Sequence, residues 1–364
     1  MTQLSQEFSG EPEIFQPSTG PSRPCREVER SRIINQKSEI INEKAQPLGL
    51  FEEEIELLMP RERPDMVAWA QAHYVLPTGD VAVAGPWSPE YVPFWVEPMR
   101  WLSGSLLRQL NVAACTQAGK TETSNIFISY RSDVEPSPKL LVLPTEDAVK
   151  ERLEMRLKPV IKASPHLLKM FGDDIRNFNI TKANRFGRAI LYIGWVNSPI
   201  SLSDRPVCDV VLDEPAKYPH SIGREADPFS IVKKRQRTFQ HKSKLLAVSS
   251  PILEDDPFWL AWLSGDPYDW WVRCPLCGDW HQMRWEHVHL DKDAHGKLLD
   301  PREYTRGGHA RYVCPRCGVF WTEYERWQAV TAGQWLQAGA TVDAEGSIKG
   351  GRPAGPVRSI RVLS

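Results

Sequence analysis

Residues 110–130 read LNVAACTQAGKTETSNIFISY, and this stretch decides the fold class. Residues 110–115 form a short apolar run of the length of a buried strand, and residues 120–130 carry a helical pattern. Between them, Ala114-Cys115-Thr116-Gln117-Ala118-Gly119-Lys120-Thr121 matches the phosphate-binding consensus G-x-x-x-x-G-K-[ST], except that Ala114 stands at the first glycine. Such a loop turns successive backbone N–H groups toward an anion at the positive end of a helix. Lys120 is then placed to reach β- and γ-phosphates, and the Thr121 hydroxyl to bind Mg²⁺. The candidate nucleotide contacts are Thr116, Gln117, Ala118, Gly119, Lys120, Thr121 and Glu122. The plainer alternative is a solvated turn that opens an amphipathic helix.

Working outward, short apolar runs alternate with helical patterns between about 108 and 250. Strands are expected at residues 139–143, 188–193, 208–212 and 244–248, and a helix over 146–161 with Val149, Leu153, Leu157 and Val160 on one face. Strands apolar on both faces and joined by crossovers predict an α/β layer with a mostly parallel sheet. Upstream, residues 65–74 space Val67, Ala68, Trp69 and Ala72 as a short helix does. Residues 1–60 interleave Pro12, Pro17, Pro21 and Pro24 with charged stretches; a mobile arm with one short helix over 33–44 is expected there.

A magnesium-binding hydroxyl needs an acidic partner at the end of another buried strand. Val210-Val211-Leu212-Asp213-Glu214 supplies two carboxylates: Asp213 for the Mg²⁺ shell and Glu214 as the base for attacking water. The alternative is acidic residues at a helix N-terminus. Residues 244–251, KLLAVSSP, end a strand in Ser249 and Ser250, placed either to sense a γ-phosphate or simply to turn the chain. Lys233, Lys234, Arg235 and Arg237 beside His241 and Lys242 could grip nucleic-acid phosphates or form a solvated helix face. Arg152, Arg156, Arg205 and Arg235 are the candidates for an arginine that completes the nucleotide site. No Asn-Lys-x-Asp base-reading motif exists, which favours ATP over GTP.

The chain has 364 residues, enough for about two domains at ~150 residues each. Lysine plus arginine total 45 against 46 aspartate plus glutamate, so a histone-like polycation is excluded. Neither a run of ~18 apolar residues nor a signal-peptide pattern is visible, and no membrane role is expected. Four of the seven cysteines form two near-identical turns, Cys274-Pro275-Leu276-Cys277-Gly278 and Cys314-Pro315-Arg316-Cys317-Gly318. Four thiolates in paired turns suit tetrahedral Zn²⁺ better than a disulfide framework. His281, His287, His289 and His295 lie in the intervening insert and are read as surface residues.

The ordered set of motifs resembles the large terminase subunits of tailed bacteriophages, specifically the lambda gpA-like group. The matching pieces are Gly85-Pro86-Trp87, Pro93 and Glu97-Pro98-Met99, then the segment from Thr116 to Glu122. Asn197-Ser198-Pro199, Ser203-Asp204-Arg205-Pro206, Leu212-Asp213-Glu214 with Tyr218-Pro219, Ser249-Ser250-Pro251 and the two cysteine turns continue the series. The resemblance implies a RecA-like (ASCE) sheet over residues 108–250, inside a P-loop ATPase domain expected over 61–268; the two cysteine turns place a small zinc-ribbon-like module over 269–340. It implies Glu214 as catalytic carboxylate and Ser249 to Pro251 as the coupling motif of a motor that packages double-stranded DNA. The implied partners are a small terminase subunit, the capsid portal and further copies of the chain, in the host cytoplasm. Departures are Ala114 and the Pro215-Ala216 pair after the carboxylates. Residues 341–364 read as a basic tail, and the absence of Asp and Glu from 346 to 364 leads us to expect no nuclease. A helicase-like ATPase, or an inactive prophage remnant that only binds, are the competing expectations.

Overall fold

The computed structural model describes residues 63–79, 83–171, 184–196, 205–221, 227–250 and 255–362. The expected arm over 1–60 and its helix lie outside these residues, as do 197–199, 203–204 and Pro251 of the motif series. Residues 63–364 form one compact unit.

One ten-stranded sheet organises that unit. In chain order its strands are β1 (Gln109–Ala114), β2 (Pro138–Leu143), β3 (Asn184–Phe186), β4 (Ala189–Trp195), β5 (Asp209–Asp213) and β6 (Lys244–Ser249). Four more follow: β7 (Asp266–Arg273), β8 (Trp280–Gln282), β9 (Gln334–Gln337) and β10 (Val357–Val362). The spatial order is β8-β7-β10-β1-β6-β5-β2-β4-β3, with β9 also on β7. From β7 to β4 every neighbouring pair is parallel, whereas β3, β8 and β9 pair antiparallel at the margins. The α/β class and mostly parallel sheet are those expected from the sequence.

Helices cover both faces, which is why the central strands are apolar throughout. On one face lie α1 (Met66–His73), α2 (Val96–Ser103), α3 (Lys120–Val134), α4 (Glu146–Glu151), α5 (Lys158–Ala163) and α6 (Pro165–Phe171). Their Trp69, Met99, Phe127, Val149 and Leu167 share one core with Leu110, Val112 and Leu246. On the other, α7 (Pro228–Arg235) and α8 (Pro257–Leu263) bury Phe229, Val232, Phe258 and Trp262 against Val210, Leu212 and Ala247. The helix expected over 146–161 is not regular: Arg152–Leu157 is π-helical and joins α4 to α5, which runs on to Ala163. The basic run sits at the end of α7 and the turn before β6, where positive side chains meet the negative end of the helix. It therefore lies at the amino edge of the sheet. No described helix is long and apolar enough to cross a membrane.

The expected division at 268 and the tail over 341–364 do not match this architecture. Strand β7 starts at Asp266, and Ala340–Val342 pairs with Ile348–Gly350 as a hairpin. More important, β10 is inserted between β7 and β1 in the middle of the sheet. Its Arg358, Ser359 and Arg361 give it the composition of a solvated strand, but both guanidinium groups lie over aromatic rings, Trp101 at 4.6 Å and Trp262 at 5.6 Å. Ser359 is satisfied by donating to the Trp262 carbonyl at 2.6 Å. Ile360 is fully buried. Shortening it to Ala will cost about 2–5 kcal/mol, as in any core strand. Urea denaturation checks this, and a variant as stable as the parent would return the segment to a tail.

Candidate active site

All the parallel strands point the same way, so the segments leaving β1, β2, β5 and β6 emerge at one carboxyl edge, where open α/β sheets receive ligands. The loop after β1 turns into α3 through Gln117 at φ 61° and Gly119 at φ 76°. The second position is tight as well as left-handed: a Cβ on Gly119 would stand 3.3 Å from Trp95 Nε1. Trp95 is fully buried and donates from Nε1 to the Ala118 carbonyl at 2.6 Å. Trp335 on β9 in turn donates to the Phe94 carbonyl at 2.8 Å. Nothing in the local sequence announces either tryptophan as a support of the loop, because both contacts cross long sequence separations.

Lys120 opens α3 and is buried. Its Nζ lies 2.9 Å from Glu214 Oε1 and donates to Ser250 Oγ at 2.6 Å and to the Ala114 carbonyl at 3.3 Å. Glu214 follows β5 in a left-handed conformation, φ 54° and ψ 48°, which is unusual for a side chain with a Cβ. The bond from its N–H to the Val248 carbonyl, 2.8 Å, and the 3₁₀ turn Pro215–Lys217 hold it there. Pro215 thus continues the turn rather than disrupting it. Ser249 is buried; its Oγ accepts from the Ala216 N–H at 3.1 Å and donates to Glu214 Oε2 at 3.4 Å.

Asp213, at the end of β5, is buried beside Arg152. Arg152 Nη1 meets Asp213 Oδ2 at 3.0 Å, while Nη2 donates to the Thr121 carbonyl at 3.0 Å. Burial pushes the Asp213 carboxyl above its ordinary value, with Arg152 opposing and Glu214 reinforcing that shift. Tyr218 donates to the Asp213 carbonyl at 3.0 Å and to that of Val142 at 2.8 Å, joining the ends of β5 and β2. Lys120, Thr121, Asp213, Glu214, Ser249 and Ser250 are therefore brought together. Glu122 is directed elsewhere: it accepts from the buried Tyr74 hydroxyl at 2.7 Å, whose own acidity burial suppresses. Thr116 and Gln117 are exposed on the loop.

The four cysteines form a second centre. Cys274 and Cys277 occupy the turn from β7 to β8, and Gly278 at φ 76° lets its N–H reach back to the Cys274 carbonyl at 2.9 Å. The second turn repeats this design, with Gly318 at φ 71° bonded to Cys314 at 2.9 Å. Sulfur separations are 4.0 Å for Cys274 to Cys317 and 3.8 Å for Cys277 to Cys314, and all four sulfurs lie within 4.8 Å of one another. His281 is not a surface residue: it is buried against Tyr312 and Trp321, and burial lowers its basicity. His289 and His295 are exposed, and His287 is half-buried.

The family described as "Phage terminase large subunit gpA, ATPase domain" matches residues 81–335, well over half the chain. The chain belongs to this family. Membership makes it an ATP-driven component of phage DNA packaging. Among solved structures, the large terminase ATPase domain of Thermus phage P74-26 is 18% identical, with a TM-score of 0.35, over 45% of this chain and 67% of that one. The large terminase of bacteriophage HK97 is 11% identical, TM-score 0.41, over 54% of this chain and 40% of that one. A helicase domain of Pyrococcus furiosus Hef is 14% identical, TM-score 0.30, over 46% and 34%. No curated protein matches the chain.

In this chain the Trp95 bond restrains the loop from outside it, beside the bond from the Cys115 N–H to the Val362 carbonyl at 3.2 Å. Trp95→Phe will leave the Ala118 carbonyl unpaired, at about 1–3 kcal/mol. Amide exchange over residues 115–124 should then quicken about tenfold or more; unchanged exchange would remove Trp95 from this role.

Proposed function

We propose that the carboxyl edge of the sheet binds and hydrolyses ATP as an ASCE-type P-loop site, and that turnover drives translocation of double-stranded DNA. The observation that carries this reading is the contact of Lys120 with both Glu214 and Ser250, three residues from three strand ends. Backbone N–H groups of residues 116–121 receive the phosphates at the N-terminus of the 15-residue helix α3. Lys120 exchanges Glu214 for the anionic phosphates. Glu214, so released, accepts the proton of the attacking water, and Ser249 and Ser250 feel its change of partner. The Thr121 hydroxyl and Asp213 carboxylate are hard oxygen donors that suit a Mg²⁺ ion, and Arg152 links the two residues through the Thr121 main-chain carbonyl and the Asp213 carboxylate. When bound, that ion neutralises charge on the phosphates.

A zinc ion fits the four cysteines. Sulfurs at ~2.3 Å from a tetrahedral Zn²⁺ stand about 3.8 Å apart, close to the two separations given above. Cys274, Cys277, Cys314 and Cys317 would hold it as a structural ion, within a zinc-ribbon-like module, and close its shell. The proposed setting is the cytoplasm of a bacterial host, with a small terminase subunit, the portal and further copies of the chain as partners.

The test is ATP turnover with and without DNA. Lys120→Ala will abolish it, and Glu214→Gln will lower it by about 10²–10⁴ while still binding ATP. Turnover that ignores both substitutions, or that DNA leaves unstimulated, would refute the motor. Independently, metal analysis should find one zinc per chain in the parent and none in a Cys314→Ser/Cys317→Ser double variant. The same zinc content in both would displace the ion from these sulfurs.

A further inference from the structure

We infer that Arg152 is a positioning residue that assembles the two halves of the magnesium site, the Thr121 end of α3 and the Asp213 end of β5. The inference rests on the ATP-site reading above and deepens it. Three observations carry it. First, one guanidinium makes both contacts, Nη1 to Asp213 Oδ2 and Nη2 to the Thr121 carbonyl, each at 3.0 Å. Two groups on separate elements are thereby fixed by one rigid planar fork, a geometry that lysine cannot reproduce. Second, Arg152 is 5% exposed, and it pairs a carboxylate that is itself 7% exposed, so solvent does not compete for either bond. Third, Arg152 is the first residue of the π-helical stretch Arg152–Leu157. A π-turn costs hydrogen-bond geometry and recurs at functional sites; here it coincides with the residue that turns into the site.

An arginine supplied only to stabilise transition-state charge would be expected to face the phosphates with its donors free. Arg152 has committed two of its donors to the protein. Its influence on the reaction therefore passes through Thr121 and Asp213, and it is not itself a catalytic residue. A purely structural ion pair would make the Asp213 contact and leave the Thr121 carbonyl alone. The double contact is what distinguishes the two roles.

The experiment measures binding in the full chain, apart from turnover. ADP affinity is determined in EDTA by titration calorimetry, and Mn²⁺ affinity of the ADP complex by electron paramagnetic resonance. The variants are Arg152→Gln and Arg152→Lys, the second keeping a positive charge beside Asp213 so that folding is maintained. Arg152→Lys should leave ADP affinity in EDTA within about twofold of the parent and weaken Mn²⁺ about 10–100-fold, the usual effect of losing a group that orients metal ligands. Arg152→Gln should weaken Mn²⁺ at least as much. Unaltered Mn²⁺ affinity in the lysine variant would overturn the inference, as would an equal loss of metal and of metal-free ADP. Failure of the parent to bind ADP at all would instead remove the ATP-site reading on which the inference stands.

Discussion

The arrangement depends on one spacing. Strand β6 lies between β1 and β5, so the loop after β1 and the acidic strand end are not neighbours but stand two strands apart, about 10 Å. Adjacent strands would press Lys120 and Glu214 together with nothing able to enter between them. A wider separation would leave the lysine ammonium with no carboxylate in reach. At the observed spacing Lys120 just spans the gap, and the strand beneath it supplies Ser249 and Ser250 to both sides. An anion that approaches Lys120 competes with Glu214 for the ammonium. The geometry therefore couples occupation of the loop to the state of the carboxylate without requiring a moving domain.

Much of this was legible in the sequence, for local reasons. The β1 loop, β5 and β6 are short apolar runs followed at once by the residues of interest, and a buried parallel strand has no other way of appearing. What the sequence concealed depends on distant partners. Strand β10 is basic and follows a Gly/Pro-rich stretch, so its residues look solvated. Its polar side chains meet partners from elsewhere, Arg358 the ring of Trp101, Arg361 Trp262 and Asp269, Ser359 Trp262 and Asn111. Arg152 was visible only as one of four arginines, because its selection rests on the π-turn and on where β5 ends.

The opposite edge of the sheet shows how the strands are held in register. Asp209, at the start of β5, is buried between Arg131 of α3 and Lys139 of β2, at 2.9 and 3.2 Å. Burial alone would raise its carboxyl, but the two cations outweigh burial and hold it below the ordinary value. Such a cluster gives little net stability, yet removing one member leaves the others uncompensated. Its consequence is orientation. Helix α3 is fastened to β5 near its last turn through Arg131, a contact that does not depend on the partner Lys120 takes at the other end of the helix.

A second constraint reaches the loop from the cysteine-bearing hairpin. Strand β9 pairs with β7, which carries Cys274 just beyond its end, and Trp335 of β9 bonds the Phe94 carbonyl one residue before Trp95 holds Ala118. Trp270 of β7 packs edge-on against both Phe94 and Trp335. Trp335 is buried in the core that covers this face of the ten-stranded sheet, and Trp270 packs against the same core, so the sheet's own packing holds both rings. The cysteine turns carry a small core of their own, Val272, Tyr312, Trp321 and Ala329, and Trp270 packs against that core too. Trp270 is thus the side chain through which the packing around the cysteine turns meets the packing that supports Ala118.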